Sequence, residues 1–155
     1  DVAVAITGAG TLRLLAERVF AKMAGHIGAH AAIFYGVEDD RRLRAVAGLS
    51  IPAERLESIR ILFGEGFAGQ AAERRERIVA TRVPAGTALE VPVLGGTARP
   101  RTIVAVPLVF QDHLLGVLEL GLYRDPDPET LAFLDVLSDQ MGVAANNLMA
   151  NRRTQ

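Results

Sequence analysis

The chain has 155 residues, a formal net charge of −1, half of its residues hydrophobic and 23% charged, the profile of one globular domain with a sizeable core. So even a charge balance excludes a general nucleic-acid or anionic-membrane surface, which needs a basic face. Cysteine is absent, which removes disulfides, thiol catalysis and cysteine-based metal sites and fits a cytoplasmic location.

The first predicted element is a helix over 11–27. Thr11 is placed to cap it, and Leu12, Leu15, Ala16, Val19, Phe20, Met23 and Ile27 recur at helical spacing. Residues 31–37, "AAIFYGV", read as a strand, 38–42 as a polar turn and 43–49, "LRAVAGL", as the hairpin partner. Residues 51–59 read as a loop with a helical turn. A short helix over 67–75 and a strand over 76–81 follow. Residues 82–100 hold three of the seven prolines and several glycines and read as a long irregular segment of the kind that often forms a functional lid. Residues 102–110 and 114–122, joined by "QDH", form an antiparallel hairpin in which Pro107 marks a bulge or an edge.

The last helix is the clearest signal. Asp127 is its cap and Pro128 suits its first position. Leu134, Leu137, Met141, Ala144 and Leu148 make a short heptad seam. Such a stripe either faces the core or pairs with the same helix of a second chain, and both fit a helix this apolar.

Several motifs resemble chemistry without its context. Gly64, Gly66 and Gly69 spell G-x-G-x-x-G, but a dinucleotide site needs a buried strand before it, parallel strands throughout and an acidic ribose ligand beyond. The strand after this motif ends in Thr81 and Arg82. The glycines are therefore read as a tight turn into a helix, with Gly69 allowing close packing. His26 and His30 stand four apart but lack the glutamate of a helical zinc site and an evident third ligand. Together with His113, read as a solvated turn residue, they leave a haem ligand as a minor alternative. Ser50, Ser58 and Ser138 are the only serines, and none has a nucleophile-elbow setting. Asp39 and Asp40 read as turn residues, and Asp125 and Asp127 as helix-start residues. No catalytic constellation, metal site or cofactor is expected. Lys22 is the only lysine among 17 basic residues, and the dispersal of the arginines reads as coding bias. No apolar run is long enough to span a membrane.

Glu119 stands apart. It lies in the apolar "GVLELGL", on a strand face shared with Leu115 and Val117 by simple alternation. A buried carboxylate needs a partner or a ligand. The expectation is an ion pair with Arg82 or Arg101, with a partly wet pocket compatible with it.

The order of these pieces resembles a GAF domain over nearly the whole chain: helix, hairpin, "GEGFAGQAAERRERIVA", long loop, "TIVAVPLVFQDHLLGVLELGL", and a closing helix with a Gln140-to-Asn147 pattern. The resemblance implies an α+β fold with a central antiparallel sheet of five to six strands. The N- and C-terminal helices would cover one face, and the short helix plus the long loop would enclose a small-molecule pocket on the other. It implies a non-catalytic sensory module of a bacterial signalling protein, such as a sensor histidine kinase, read here as one domain over 1–155 cut from a longer protein because it starts at Asp1. The ligand, of unknown identity, would be lined by Phe34, Phe63, Phe67, Arg82, Thr102, Val104 and Glu119. The signal would leave through the C-terminal helix to a covalently linked output domain. A homodimer would form through the terminal helices, with no nucleic-acid or membrane contact by this segment. A dimerisation module with a self-filled pocket is the alternative. The sulfoxide-reductase and bilin-binding members of the family use cysteines that this chain lacks, and the N-K…F-x-x-x-D-E pattern of the cyclic-nucleotide binders is absent.

Overall fold

The computed structural model describes residues 13–23, 27–39 and 41–154. Helix α1 occupies 13–23. It is followed by β1 (Ala29–Asp39), β2 (Arg42–Leu49), α2 (Ala53–Glu57), β3 (Arg60–Leu62), α3 (Gly66–Arg74) and β4 (Ile78–Ala80). Then come β5 (Val91–Val93), β6 (Gly96–Ala98), β7 (Thr102–Phe110), β8 (His113–Leu122) and α4 (Pro128–Thr154). Six strands form one antiparallel sheet in the order β3-β2-β1-β8-β7-β4, and β5 and β6 pair separately. The expected α+β architecture is the observed one.

The long hairpins form the centre of the sheet because their apolar runs are buried on both faces. On one face, Leu15, Val19 and Met23 of α1 and Leu134, Leu137 and Met141 of α4 pack on Phe34, Val104, Val106, Leu118 and Leu120. On the other, Ala68, Ala71 and Ala72 of α3 and Leu89 of the long loop pack on Ile33, Tyr35, Ile103, Ala105 and Val117. The small alanines let α3 lie close against the sheet.

The β7–β8 turn places Gln111 and Asp112 at φ 50 and 65, the paired positive angles of a type I′ turn. Pro107 lies beyond Ala105, the last residue of β7 facing β4, where β7 becomes a sheet edge and a missing N–H is tolerated. Asp127 caps α4 by accepting the Thr130 N–H at 2.7 Å.

The G-x-G-x-x-G sits in the turn from β3 into α3. Gly64 and Gly66 have φ +87 and +62, and a Cβ on Gly69 would stand 2.5 Å from the Leu62 carbonyl oxygen. Gly69 therefore packs on the end of β3 and the turn, rather than on the central sheet. The motif joins antiparallel strands through a short helix, which is not a dinucleotide fold.

The structure refines several expectations. The β5–β6 hairpin falls in the segment read as long and irregular, and β3 in a stretch between the loop over 51–59 and the glycine turn to which the sequence reading assigns no element. Thr11, Leu12 and residues 24–26 of the expected first helix, with His26, lie outside the described residues, as does Asp40. The α4 stripe faces its own core: Leu134, Leu137 and Met141 are 1, 2 and 4% exposed, and Ala144 packs against the same cluster. Of the two alternatives for this stripe, these residues take the core-facing one; the Leu148 side chain is outside the description. Finally, an irregularity between Leu108 and Val109 pairs Gly116 and Leu114 with successive residues of β7, leaving Leu115 as the extra one. This bulge turns Leu115 toward the helices, away from Glu119.

Candidate functional site

Glu119 lies at the middle of the sheet on the face covered by α3 and the long loop. Its register partners are Ile33 on β1 and Ala105 on β7, both in the cover-side core. It is 7% exposed. Among the described residues no arginine reaches it. The Tyr35 hydroxyl donates to Glu119 Oε1 at 3.3 Å, and the Ala68 backbone N–H donates to the same carboxyl. Ala68 is the third residue of α3, so this is one of the first-turn N–H groups that a helix cannot satisfy internally. The residue before the helix, Glu65, makes no side-chain cap to it and instead accepts from the Leu62 N–H at 3.0 Å. A carboxylate from the sheet thus takes over part of the capping of α3.

Burial pushes the Glu119 carboxyl up to about 7, with the Tyr35 and Ala68 hydrogen bonds pulling against it. The Tyr35 phenol is held far above its ordinary range by burial first and by the adjacent carboxylate second. The pair is therefore poised: one proton near neutrality decides whether a negative charge stands under the cover.

The cover is closed by the chain's own side chains. Leu89 is 1% exposed, and its Cβ together with Pro100 lies over Gly121, where an added Cβ would meet Pro100 at 3.1 Å and Leu89 at 3.6 Å. Gly121 follows Glu119 by two residues and so shares its strand face. The loop around Leu89 is held from α2: Arg55 donates to the carbonyl oxygens of Ala88 and Glu90 at 2.9 and 2.6 Å. Arg55 Nε and Thr87 Oγ1 are buried there without a protein partner.

The other expected lining residues divide by face. Phe63 and Phe67 pack partly buried in the cover-side core, and Arg41 lies over the Phe63 ring at 5.4 Å. Phe34 and Val104 belong to the opposite core, beneath α1 and α4, because each is one residue out of phase with its cover-side neighbours. Thr102 is fully buried but donates to Asp125 Oδ1 at 2.9 Å, and Arg101 reaches Asp125 at 3.2 Å. These two hold the start of β7 to the segment before α4. Arg82 is exposed. Tyr35 is what the sequence reading missed. A strand buried on both faces does not show which apolar residue faces a given side, so only the cross-strand register with Glu119 singles out Tyr35.

A groove of about 620 Å³ lies elsewhere, at the β2 edge between α1 and α2, with Arg13, Glu17, Phe20, Val46 and Leu56 in its wall. Arg44 and Arg60, which also line it, both reach the Glu38 carboxylate, at 3.9 and 3.1 Å. His30 is exposed and stacks on Tyr123 at 3.9 Å between ring centroids. Among the described residues no group of three or more His, Asp or Glu is placed to hold a metal ion, and no helix is long and apolar enough to cross a membrane.

An antiparallel sheet with terminal helices on one face, and a buried carboxyl under a helix-and-loop cover on the other, defines an α+β module. Residues 9–145 match the model of the GAF domain. The chain belongs to the GAF domain family, whose members are sensory and regulatory modules. It is similar to the GAF-B domain of DevS from Mycobacterium smegmatis, with TM-score 0.72 and 25% identity over 96% of this chain and 100% of that one. The GAF domain of a two-component sensor histidine kinase from Bacillus halodurans aligns with TM-score 0.67 and 18% identity, covering 90% of this chain and 97% of that one. The GAF domain of a phosphoenolpyruvate-protein phosphotransferase from Coxiella burnetii gives 0.69 and 20%, covering 90 and 93%. No curated protein matches significantly.

Proposed function

We propose that this domain is a non-catalytic sensor of a bacterial signal-transduction protein. It binds a small molecule between the sheet and the cover formed by α3 and the long loop, and passes the signal through α4. The observation that carries the reading is Glu119, a nearly fully buried carboxyl under that cover with no cation beside it among the described residues. Burying a carboxyl without a countercharge costs stability, and carboxyls perturbed in this way cluster at functional sites.

Ligand entry requires Leu89 to leave Gly121 and the loop to move. Strand β7 links the two sides, since Ile103 and Ala105 face the cover and Val104 and Val106 face the helices, and α4 packs on it. A ligand that favours one position of the cover biases α4 by its difference in affinity for the two states. The likeness to the histidine-kinase GAF domain supports a kinase as the output partner, and a homodimer along the terminal helices suits that role.

The test is native mass spectrometry of the purified domain against the same sample denatured. Small-molecule mass lost on denaturation, with the site blocked in Leu89→Trp, establishes the pocket. A domain that takes up nothing across a metabolite screen reduces it to the second reading, a structural module whose pocket its own chain fills. The complete burial of Leu89 favours that alternative.

A further inference from the structure

We infer that the pocket under the cover selects a small aliphatic primary ammonium, held by Glu119 with Tyr35 beside it; this rests on the pocket reading above and names its ligand class. An ionised carboxylate offers about four acceptor positions. The chain supplies two donors, the Tyr35 hydroxyl and the Ala68 N–H. Two positions and the whole negative charge are left for something that the described residues do not provide. β1 presents Ile33 and Tyr35, β7 presents Ala105, α3 presents Ala68, Ala71 and Ala72, and the loop presents Leu89. Tyr35 is the only titratable group among them, and it carries no positive charge.

The complement of this site is a cation with several donors and an apolar body. A primary ammonium has three N–H donors on a compact charge. A short branched alkyl body matches the side chain that Leu89 now buries in the cover-side core. A carboxylate or phosphate ligand would meet like charge, and a plain alcohol would satisfy a lone pair without the charge. The bulk of Leu89 and its Arg55 tether set the size limit and the cost of entry.

The experiment uses Leu89→Ala, which removes the isopropyl end of a side chain buried in the same cover-side core, since buried leucine truncations leave cavities that small apolar probes enter. Isobutylammonium, isobutanol and isobutyrate are titrated at pH 8 and read by thermal shift. The expected result is that isobutylammonium binds roughly ten- to a hundredfold more tightly than isobutanol, the scale of a charge-assisted hydrogen bond. Isobutyrate should not bind. The preference should vanish in Leu89→Ala/Glu119→Gln, which keeps the isobutanol effect, and the ammonium should weaken as pH falls from 8 to 6. Equal binding of isobutanol and isobutylammonium overturns the ligand class and leaves the pocket standing. Binding of none of the three removes the pocket with it. Should Leu89→Ala not fold, the same probes are titrated into Leu89→Val and the unaltered domain, following the Ala68 amide by NMR. An ammonium-specific shift there supports the inference, and its absence overturns it.

Discussion

At the scale of single residues, Glu119 makes stability depend on pH in a direction opposite to that of an ordinary ion-paired carboxylate. Its folded-state value is raised from 4.5 to about 7. Between those limits the folded protein holds a proton that the unfolded chain has released, so stability is full below the lower value and is lost as pH rises through the upper one. The expected loss between pH 4.5 and 8 is on the order of 3 kcal/mol. Glu119→Gln keeps an acceptor for Tyr35 and Ala68 but cannot ionise. It should melt higher than the parent at pH 8, and its melting temperature should be flatter from pH 5 to 8. Tyr35→Phe removes a hydrogen bond that favours the ionised form, so it should move the transition to still higher pH. Parallel pH profiles for parent and Glu119→Gln would show that the carboxyl is ionised and relaxed in the folded state.

At the scale of elements, what the sequence reveals depends on whether an element is specified locally. The β7–β8 hairpin and α4 are legible because their turn and cap chemistry lies in adjacent residues, Gln111-Asp112 and Asp127-Pro128. The segment 64–69 is legible as a turn for the same reason. Faces are harder. Phe34 and Tyr35 are equally apolar in a strand buried on both sides, and the bulge at Leu115 shifts the alternation by one residue, which Pro107 and Gly116 beside it signal without fixing which residue is the extra one. The partner of Glu119 was invisible because it is a backbone N–H of another element and a tyrosine from the next strand, whereas charge counting points to an arginine. The role of Arg55 is likewise tertiary. Its two bonds to Ala88 and Glu90 pin the segment that carries Leu89, and Arg55→Met keeps the apolar stem without them. Charge-assisted bonds of this kind contribute about 2 kcal/mol, so amide exchange over 83–95 should quicken roughly thirtyfold while the central hairpin is unchanged. Equal loss of protection in both would mean that Arg55 supports the whole fold rather than the cover.

At the scale of the whole molecule, the helical face decides how dimerisation can be tested. The stripe Leu134, Leu137, Met141 lies in the domain's own core, so Met141→Asp places a charge where water is excluded. That substitution should unfold the domain, at a cost of several kcal/mol, and a lower mass in that variant says nothing about an interface. The outer side of α4 carries Val136 and Val143, 53 and 50% exposed and seven residues apart, which is one heptad on the face turned away from the core. Lys22 of α1 reaches Gln140 between them at 3.1 Å, so α1 borders this face and the two helices present it together. If the domain pairs through its terminal helices, this is where the second copy sits. Val136→Glu/Val143→Glu sets like charges against each other across a two-fold axis without disturbing the core. The variant should keep its melting temperature within a degree or two, since isolated surface changes are small, and should run at half the parent's mass by light scattering. A dimer of unchanged mass, with folding intact, would move the interface off α4. The output signal would then have to leave the domain by a route other than a helix pair.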